Sequence, residues 1–262
     1  MNIIQKSIFV LKNEGFNAFL IKVFKFPITK INSLREKLLH EKAKRNSKKV
    51  ALNLKQFNSQ DVEEVFDFSW NFYKGLIKPL QIKEEFLELL KIFKELNPKF
   101  IMEIETAQGG SLFYFCKLAR DDATIISIDL PEEPFGGGYP EWKIPIYQAF
   151  KKENQKLYLI REDSHKQETL EKVKEILNGN QLDFLFIDGD HSYEGVKKDF
   201  EMYSPLVKKG GIIAFHDITP KGIPELTGGV PKFWQEIKDN FRKKELIKDL
   251  EQEGYGIGVI IR

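Results

Sequence analysis

With 262 residues, the chain is long enough for one large α/β domain with an appendage and short for two full domains. Hydrophobic residues make up 42%, which supports a sizeable core and excludes global disorder, and the single cysteine, Cys116, excludes an intrachain disulfide. The net charge of +2 conceals an asymmetry: residues 1–50 carry twelve Lys and Arg against three Asp and Glu, and the remainder carries 29 against 36.

The basic first segment suits an anionic membrane surface, nucleic acid or an acidic partner; a solvated helix face accounts for it equally well. Phe16, Phe19, Leu20, Val23 and Phe24 recur there at helical spacing among lysines. They predict an amphipathic basic helix that Pro27 ends. No run reaches the roughly 20 apolar residues of a spanning helix. No short apolar segment precedes a small-residue cleavage site. The cytoplasm is therefore the expected compartment. Residues 40–50 are polar and charged and read as a mobile linker. Beyond them, Phe86, Leu89, Leu90, Phe93 and Leu96 line one face of a helix that stops at Asn97–Pro98.

From Lys99 the texture alternates between strand and helix signals. Strands are expected at 100–105, 123–129, 155–160, 182–188 and 211–217. The helix that Gly109–Gly110 open carries Cys116 as a packed thiol. The helix after the third strand turns Leu170, Val173, Ile176 and Leu177 inward, and the one after the fourth buries Val196, Phe200, Tyr203 and Leu206. A helix near 231–243 and a closing pair, 245–249 and 256–261, finish the chain, the last strand returning antiparallel. Such alternation implies right-handed crossovers and a mostly parallel sheet with helices on both faces. Ligands then bind outside the carboxyl ends of the strands.

Several polar residues gather at those ends. Strand 1 runs into Glu103–Ser111, where glycines at a strand-to-helix turn admit a ligand to the backbone and the helix start favours an anionic group; a bare tight turn explains them as well. Asp129 ends strand 2, 20 residues beyond Gly109, the spacing that suits a ribose diol. Asp163 and Ser164 follow strand 3 and can equally cap the next helix. Asp188, Asp190 and His191 follow strand 4, and His216 and Asp217 end strand 5. This group suits a divalent cation held through hard oxygen ligands, with one histidine as general base. Helix capping by Asp190 or Ser192 is the plainer alternative. The loop Pro131–Trp142, rich in glycine and aromatic residues, follows strand 2 and reads as a lid or an acceptor wall.

Together these residues resemble class I S-adenosylmethionine-dependent methyltransferases. The likeness covers about residues 56–262 and is closest to the cephalosporin hydroxylase-like and rhamnosyl O-methyltransferase-like group. Its most specific piece is LDFLFIDGDHSYEGVKKDFEMYSPLVKKGGIIAFHDI (182–218); FGGGYPEW and GYGIGVI also fit. The resemblance implies an α/β Rossmann-like methyltransferase fold, with a mostly parallel seven-stranded sheet and an N-terminal helical extension. It divides the chain into a basic arm and linker (1–50), a helical cap (51–98) and a catalytic domain (99–262). It also implies that Glu103, Thr106, Gly109, Gly110 and Ser111 belong to the first cofactor motif, with Asp188 bordering the same ligand. Asp129 would hold the ribose, and Asp163 and Ser164 would lie beside the adenine. Asp188, His216 and Asp217 would be metal ligands for Mg or Mn, and His191 the base.

Glu105 departs from the group's pattern, which has glycine there, and Ala107 stands where many methyltransferases have another. Glu105 sets a carboxylate near the expected carboxylate of the cofactor. The side chain turns away, or cofactor affinity falls, or the ligand differs. The activity implied is O-methyl transfer to a small hydroxylated acceptor, a sugar or glycan preferred, in polysaccharide biosynthesis. Nucleic acid is not an expected partner; peripheral membrane or protein contact through residues 1–45 and a homo-oligomer are compatible with the reading. The rivals are a catalytically silent Rossmann-like binding module, which Glu105 favours, and an NAD(P)-dependent oxidoreductase, for which the G-x-G-x-x-G turn is incomplete.

Overall fold

The computed structural model describes residues 38–39, 41–131 and 138–262. The chain divides into two units at Asn46/Ser47, and the second carries the sheet and the site. The amphipathic helix expected around residues 16–24 lies outside the described residues, as do residues 132–137 of the glycine-rich loop. The charged stretch expected as a linker is helical over 41–45 and again from Ser47. Val50 and Leu54, one helical turn apart, are buried there; two apolar positions at that spacing are enough to dock a short polar helix.

Helices α1 (Ser47–Gln56), α2 (Val62–Asn71) and α3 (Lys83–Leu96) precede the sheet. Asp61 caps α2 by accepting the N–H groups of Glu63 and Glu64. Asn97 ends α3 in the left-handed region, φ 48°, just before Pro98. The alternating part follows in the order β1 (Phe100–Ile104), α4 (Gly110–Leu118), β2 (Thr124–Asp129), α5 (Ile144–Gln148), β3 (Lys156–Arg161), α6 (Gln167–Leu177), β4 (Leu182–Ile187), α7 (Tyr193–Tyr203) and β5 (Val207–Phe215). Helices α8 (Pro224–Thr227) and α9 (Val230–Ile237) lead to β6 (Arg242–Leu246) and β7 (Ile257–Ile261).

The seven strands form one sheet in the order β3-β2-β1-β4-β5-β7-β6. Strands β1 to β5 pair in parallel, and β7 runs antiparallel to both β5 and β6. This is the Rossmann-like methyltransferase fold. Two boundaries differ from the pattern reading. β5 starts at Val207 instead of 211, with an irregular register opposite Leu182–Phe184; the glycines and lysines at 208–211 hid its first turn of pairing. The last helix ends at Ile237, because β6 begins at Arg242. β6 is an exposed edge strand, and its charged side chains guard it against pairing with another chain.

Both faces of the central strands are covered, which is why they read as near-continuous apolar runs. On one face Phe184 of β4 meets Phe93 of α3 and Phe115 of α4 at 4.9 and 5.2 Å between ring centroids. On the other, Leu185 and Ile187 join Met102, Ile104, Ile126 and Ile128 over Leu170, Val173 and Leu177 of α6 and Val196 of α7. Adjacent residues of one strand thus serve opposite layers. Cys116 is fully buried in this packing. Among the described residues no helix is long and apolar enough to cross a membrane.

Candidate active site

Successive strands are added to one side of β1 up to β3 and to its other side from β4 on, and the carboxyl ends of the parallel neighbours β1 and β4 open a crevice. A cavity of about 240 Å³ occupies it, lined by Gln81, Glu105, Ser111, Asp188, His191 and Tyr255 among others.

The turn after β1 is built tightly from below. Asp129 accepts three backbone N–H groups, those of Thr106 (3.0 Å), Ala107 (2.8 Å) and Leu130 (2.8 Å). Asp129 is buried, and its visible work is to clamp this turn. Glu103 is also buried; its carboxyl accepts from Ser111 Oγ at 2.8 Å and Ser127 Oγ at 3.0 Å. Burial outweighs these two bonds and pushes the Glu103 carboxyl up to about 8. Thr106 and Ser111 line the cavity.

Gly109 has φ 81°, and a Cβ there would stand 2.5 Å from the Tyr147 ring; a Cβ at Gly110 would stand 2.5 Å from the Pro79 backbone. The close approach that these glycines permit is therefore made by the protein's own Tyr147 and Pro79. Tyr147 adds a hydrogen bond from its hydroxyl to Ala107 O at 2.7 Å.

Asp163 accepts the His165 N–H at 2.8 Å, and Ser164 Oγ donates to Asp199 Oδ1 at 2.7 Å. Asp163 braces the turn before α6 and Ser164 ties that turn to α7; neither is among the residues that line the cavity. Asp190 also serves local structure: it accepts the Ser192 N–H at 2.8 Å, and Ser192 caps α7 by accepting the Gly195 N–H at 3.0 Å.

The ends of β4 and β5 bring the other candidates together. Asp188, His216 and Asp217 each offer a ligand atom, and these atoms all lie within 4.8 Å of one another. His216 Nδ1 is 2.9 Å from Asp188 Oδ1 and 3.2 Å from Asp217 Oδ2. His191 joins them, with Nε2 3.7 Å from Asp188 Oδ1 and Nδ1 3.4 Å from Asp217 Oδ2. The His191 Nδ1–H is assigned as donor to Leu226 O at 3.0 Å, which turns Nε2 towards Asp188. Asp217 adopts a left-handed φ of 60°, held by the Tyr255 N–H that its Oδ1 accepts at 2.8 Å.

Electrostatics follows from this crowding. The Asp188 carboxylate beside His191 lifts the imidazole to about 9. Burial alone would lower His216, but Asp188 and Asp217 outweigh it and raise it well above its ordinary value. Burial would likewise raise Asp188, yet the two histidines hold it down at about 2. Two hard carboxylates and an imidazole this close fit a divalent cation. Ligands about 2.1 Å from a six-coordinate centre at right angles stand about 3 Å apart. His216 is 5% exposed, and its Nε2 has no hydrogen-bond partner.

Glu105 points into the cavity, which resolves one alternative: the side chain does not turn away. Its backbone has φ 77°, the conformation the group's glycine would take without strain. Burial first, then Asp188 and Asp129, push its carboxyl up to about 9. The pattern reading missed Gln81, whose amide donates to Asp188 Oδ2 at 3.3 Å, and the exposed Leu80, Leu226 and Tyr255 at the cavity. No spacing rule marks them, because they come from segments remote in sequence from β4: two connections and the short helix α8.

Residues 102–218 match the family model described as a methyltransferase domain. The strand order, with the matched segment inside it, gives this part of the chain the class I methyltransferase fold. Among solved structures it is similar to a candidate caffeoyl-CoA O-methyltransferase from Staphylococcus aureus, 19% identical with a TM-score of 0.52, covering 87% of this chain and 99% of that one. It is also similar to the O-methyltransferase from Bacillus cereus in complex with S-adenosylhomocysteine, 15% identical with a TM-score of 0.50, covering 79% and 94%. An uncharacterized protein of Sinorhizobium fredii is 30% identical over 146 residues, 54% of this chain and 15% of that protein. An uncharacterized protein of Acanthamoeba polyphaga mimivirus is 55% identical over 38 residues, 14% and 17%. The chain thus spans under a fifth of the length of these curated relatives.

Proposed function

We propose that the chain is an S-adenosylmethionine-dependent O-methyltransferase acting on a hydroxyl of a small acceptor, a sugar or glycan preferred, with a divalent cation, Mg or Mn, assisting. The observation that carries this is the convergence of Asp188, His216 and Asp217 within 4.8 Å at the sheet's carboxyl edge, with His191 against them. The product-like cofactor in the B. cereus structure supports the cofactor choice. The sequence resemblance to rhamnosyl O-methyltransferase-like proteins supports the acceptor.

When bound, the cofactor offers an electrophilic methyl group, and a cation acidifies the acceptor hydroxyl. Asp188 and Asp217 would supply the hard oxygens for that cation, with Gln81 orienting Asp188. His191 takes the hydroxyl proton at Nε2, since Leu226 O occupies Nδ1–H. Its high proton affinity comes first from Asp188, and a cation drawing on that carboxylate would lower it. Leu80, Leu226 and Tyr255 flank the cavity and exclude water from the acceptor. Residues 1–45, with their excess of lysine, would make peripheral contact with an anionic membrane or an acidic partner.

Calorimetric titration tests the cofactor: S-adenosylhomocysteine should give saturable heat and NAD none. Binding of NAD alone would overturn the reading in favour of an oxidoreductase, and binding of neither in favour of a silent module. For the metal, chelation should abolish turnover, and Asp188→Asn and Asp217→Asn should each do the same while leaving cofactor affinity nearly intact. Full activity in chelator would remove the cation from the mechanism.

A further inference from the structure

We propose that Glu105 is a ligand of the divalent cation, so that this chain holds its metal with a third carboxylate drawn from the cofactor turn. The inference rests on the metal-assisted reading above and adds a donor from β1 to those of β4 and β5.

Two three-residue sets meet the spacing of a cation site among the described residues: Asp188, His216 and Asp217, and Glu105, Asp188 and His191. In each set the donor atoms lie within 4.8 Å of one another, so small side-chain rotations would bring them around one ion. Asp188 belongs to both, so an ion resting on Asp188 is within reach of the Glu105 carboxylate.

Charge leads to the same place. Fully ionised, Glu105, Asp188 and Asp217 carry three negative charges, and His191 and His216 supply at most two positive ones. Lys78, which lines the cavity, does not balance the third: its ammonium lies over the Trp70 ring, 3.6 Å from the centroid. A carboxylate excess of this kind needs a proton or a cation, and a cation held by all three would supply the balance.

Two polar atoms independently lack the partners a closed ion-pair network would give them. His216 Nε2, on a buried side chain, has none, and Gln81 Oε1 has none although its amide nitrogen reaches Asp188. Both residues line the same cavity as Glu105. Buried polar atoms without partners are rare in folded proteins and mark places where an ion or water completes the set.

The test is Mn²⁺ binding to the full chain, followed by the loss of the free-ion signal in electron paramagnetic resonance. Glu105→Gln should raise the Mn²⁺ dissociation constant at least tenfold. Glu105→Asp, which keeps the charge but withdraws it by one methylene, should weaken binding similarly. Glu105→Gly, which suits the left-handed backbone, guards against a folding artefact and should behave as the Gln variant does. Asp188→Asn should bind worst. Wild-type affinity in the Gln and Gly variants, with binding lost in Asp188→Asn, would overturn the inference and leave the metal reading intact. Weak binding in Glu105→Gln but wild-type binding in Glu105→Asp would reduce Glu105 to a remote charge and also overturn it. A wild-type chain that takes up no Mn²⁺ would end both, and the S-adenosylhomocysteine titration would still report separately on the cofactor.

Discussion

At the scale of single residues, the site is a contest between burial and charge. Glu103 shows the sign most clearly. Its folded value of about 8 exceeds the ordinary 4.5, so between these two pH values the folded state binds a proton that the unfolded state has released. Stability therefore falls as pH rises through that window. Glu103→Gln, which imitates the protonated carboxyl, should flatten the fall; urea midpoints measured from pH 5 to 8 check it, and an unchanged slope would assign the dependence to another group. His191 makes a different prediction. If its Nε2 is the base, His191→Ala should lower turnover by about 10²- to 10⁴-fold, the usual range for a lost general base, with Mn²⁺ affinity changed far less. Equal loss of metal and turnover would make it a ligand instead. Glu105 and Asp217, both with positive φ beside the cavity, are the kind of backbone strain that surrounding structure must hold in place at functional positions.

At the scale of elements, helix α3 supports the site from a distance through one carboxylate. Glu85, 3% exposed, accepts the Lys248 N–H at 2.9 Å, the Gln252 side-chain amide at 2.8 Å and the Gly256 N–H at 2.9 Å. These bonds pin the β6–β7 connection, which carries Tyr255, and Tyr255 in turn donates to Asp217. Glu85→Ala strands buried backbone donors and should cost about 3 kcal/mol of stability, the scale for unsatisfied groups that had a charged acceptor. Chemical denaturation checks this, and a loss below about 0.5 kcal/mol would show that water replaces the carboxylate. The same logic explains the aromatic layer under β4. Phe93, Phe115 and Phe184 meet edge to face or tilted at about 5 Å, so α3 and α4 bind the sheet through specific ring geometry as well as area.

At the scale of the whole molecule, the division at Asn46/Ser47 predicts that residues 47–262 fold without the basic segment. A chain lacking residues 1–46 should unfold in one cooperative transition and still bind S-adenosylhomocysteine; a broad, non-cooperative transition would show that the segment is part of the core. The alternating architecture is written in the amino-acid sequence. Period and punctuation are local properties, and runs such as LDFLFID followed by GDHSYEGVKKDF state strand, turn and helix directly. The antiparallel return of β7 and the gathering of Asp188, His191, His216 and Asp217 were legible for the same reason, since strand order and strand ends follow from the connections. Which polar residues brace the backbone and which face the cavity depends on how the layers close. Asp129, Asp163 and Asp190 spend their carboxylates on backbone N–H groups, and the Gly109–Gly110 turn makes room for Tyr147 and Pro79. Gln81 and Tyr255 reach the site from connecting segments far in sequence from Asp188, one before it and one after it. A carboxylate in sequence does not say whether it will meet an amide, an imidazole or a cation. That depends on which buried donors happen to face it once the layers close, and burial raises the cost of every wrong pairing.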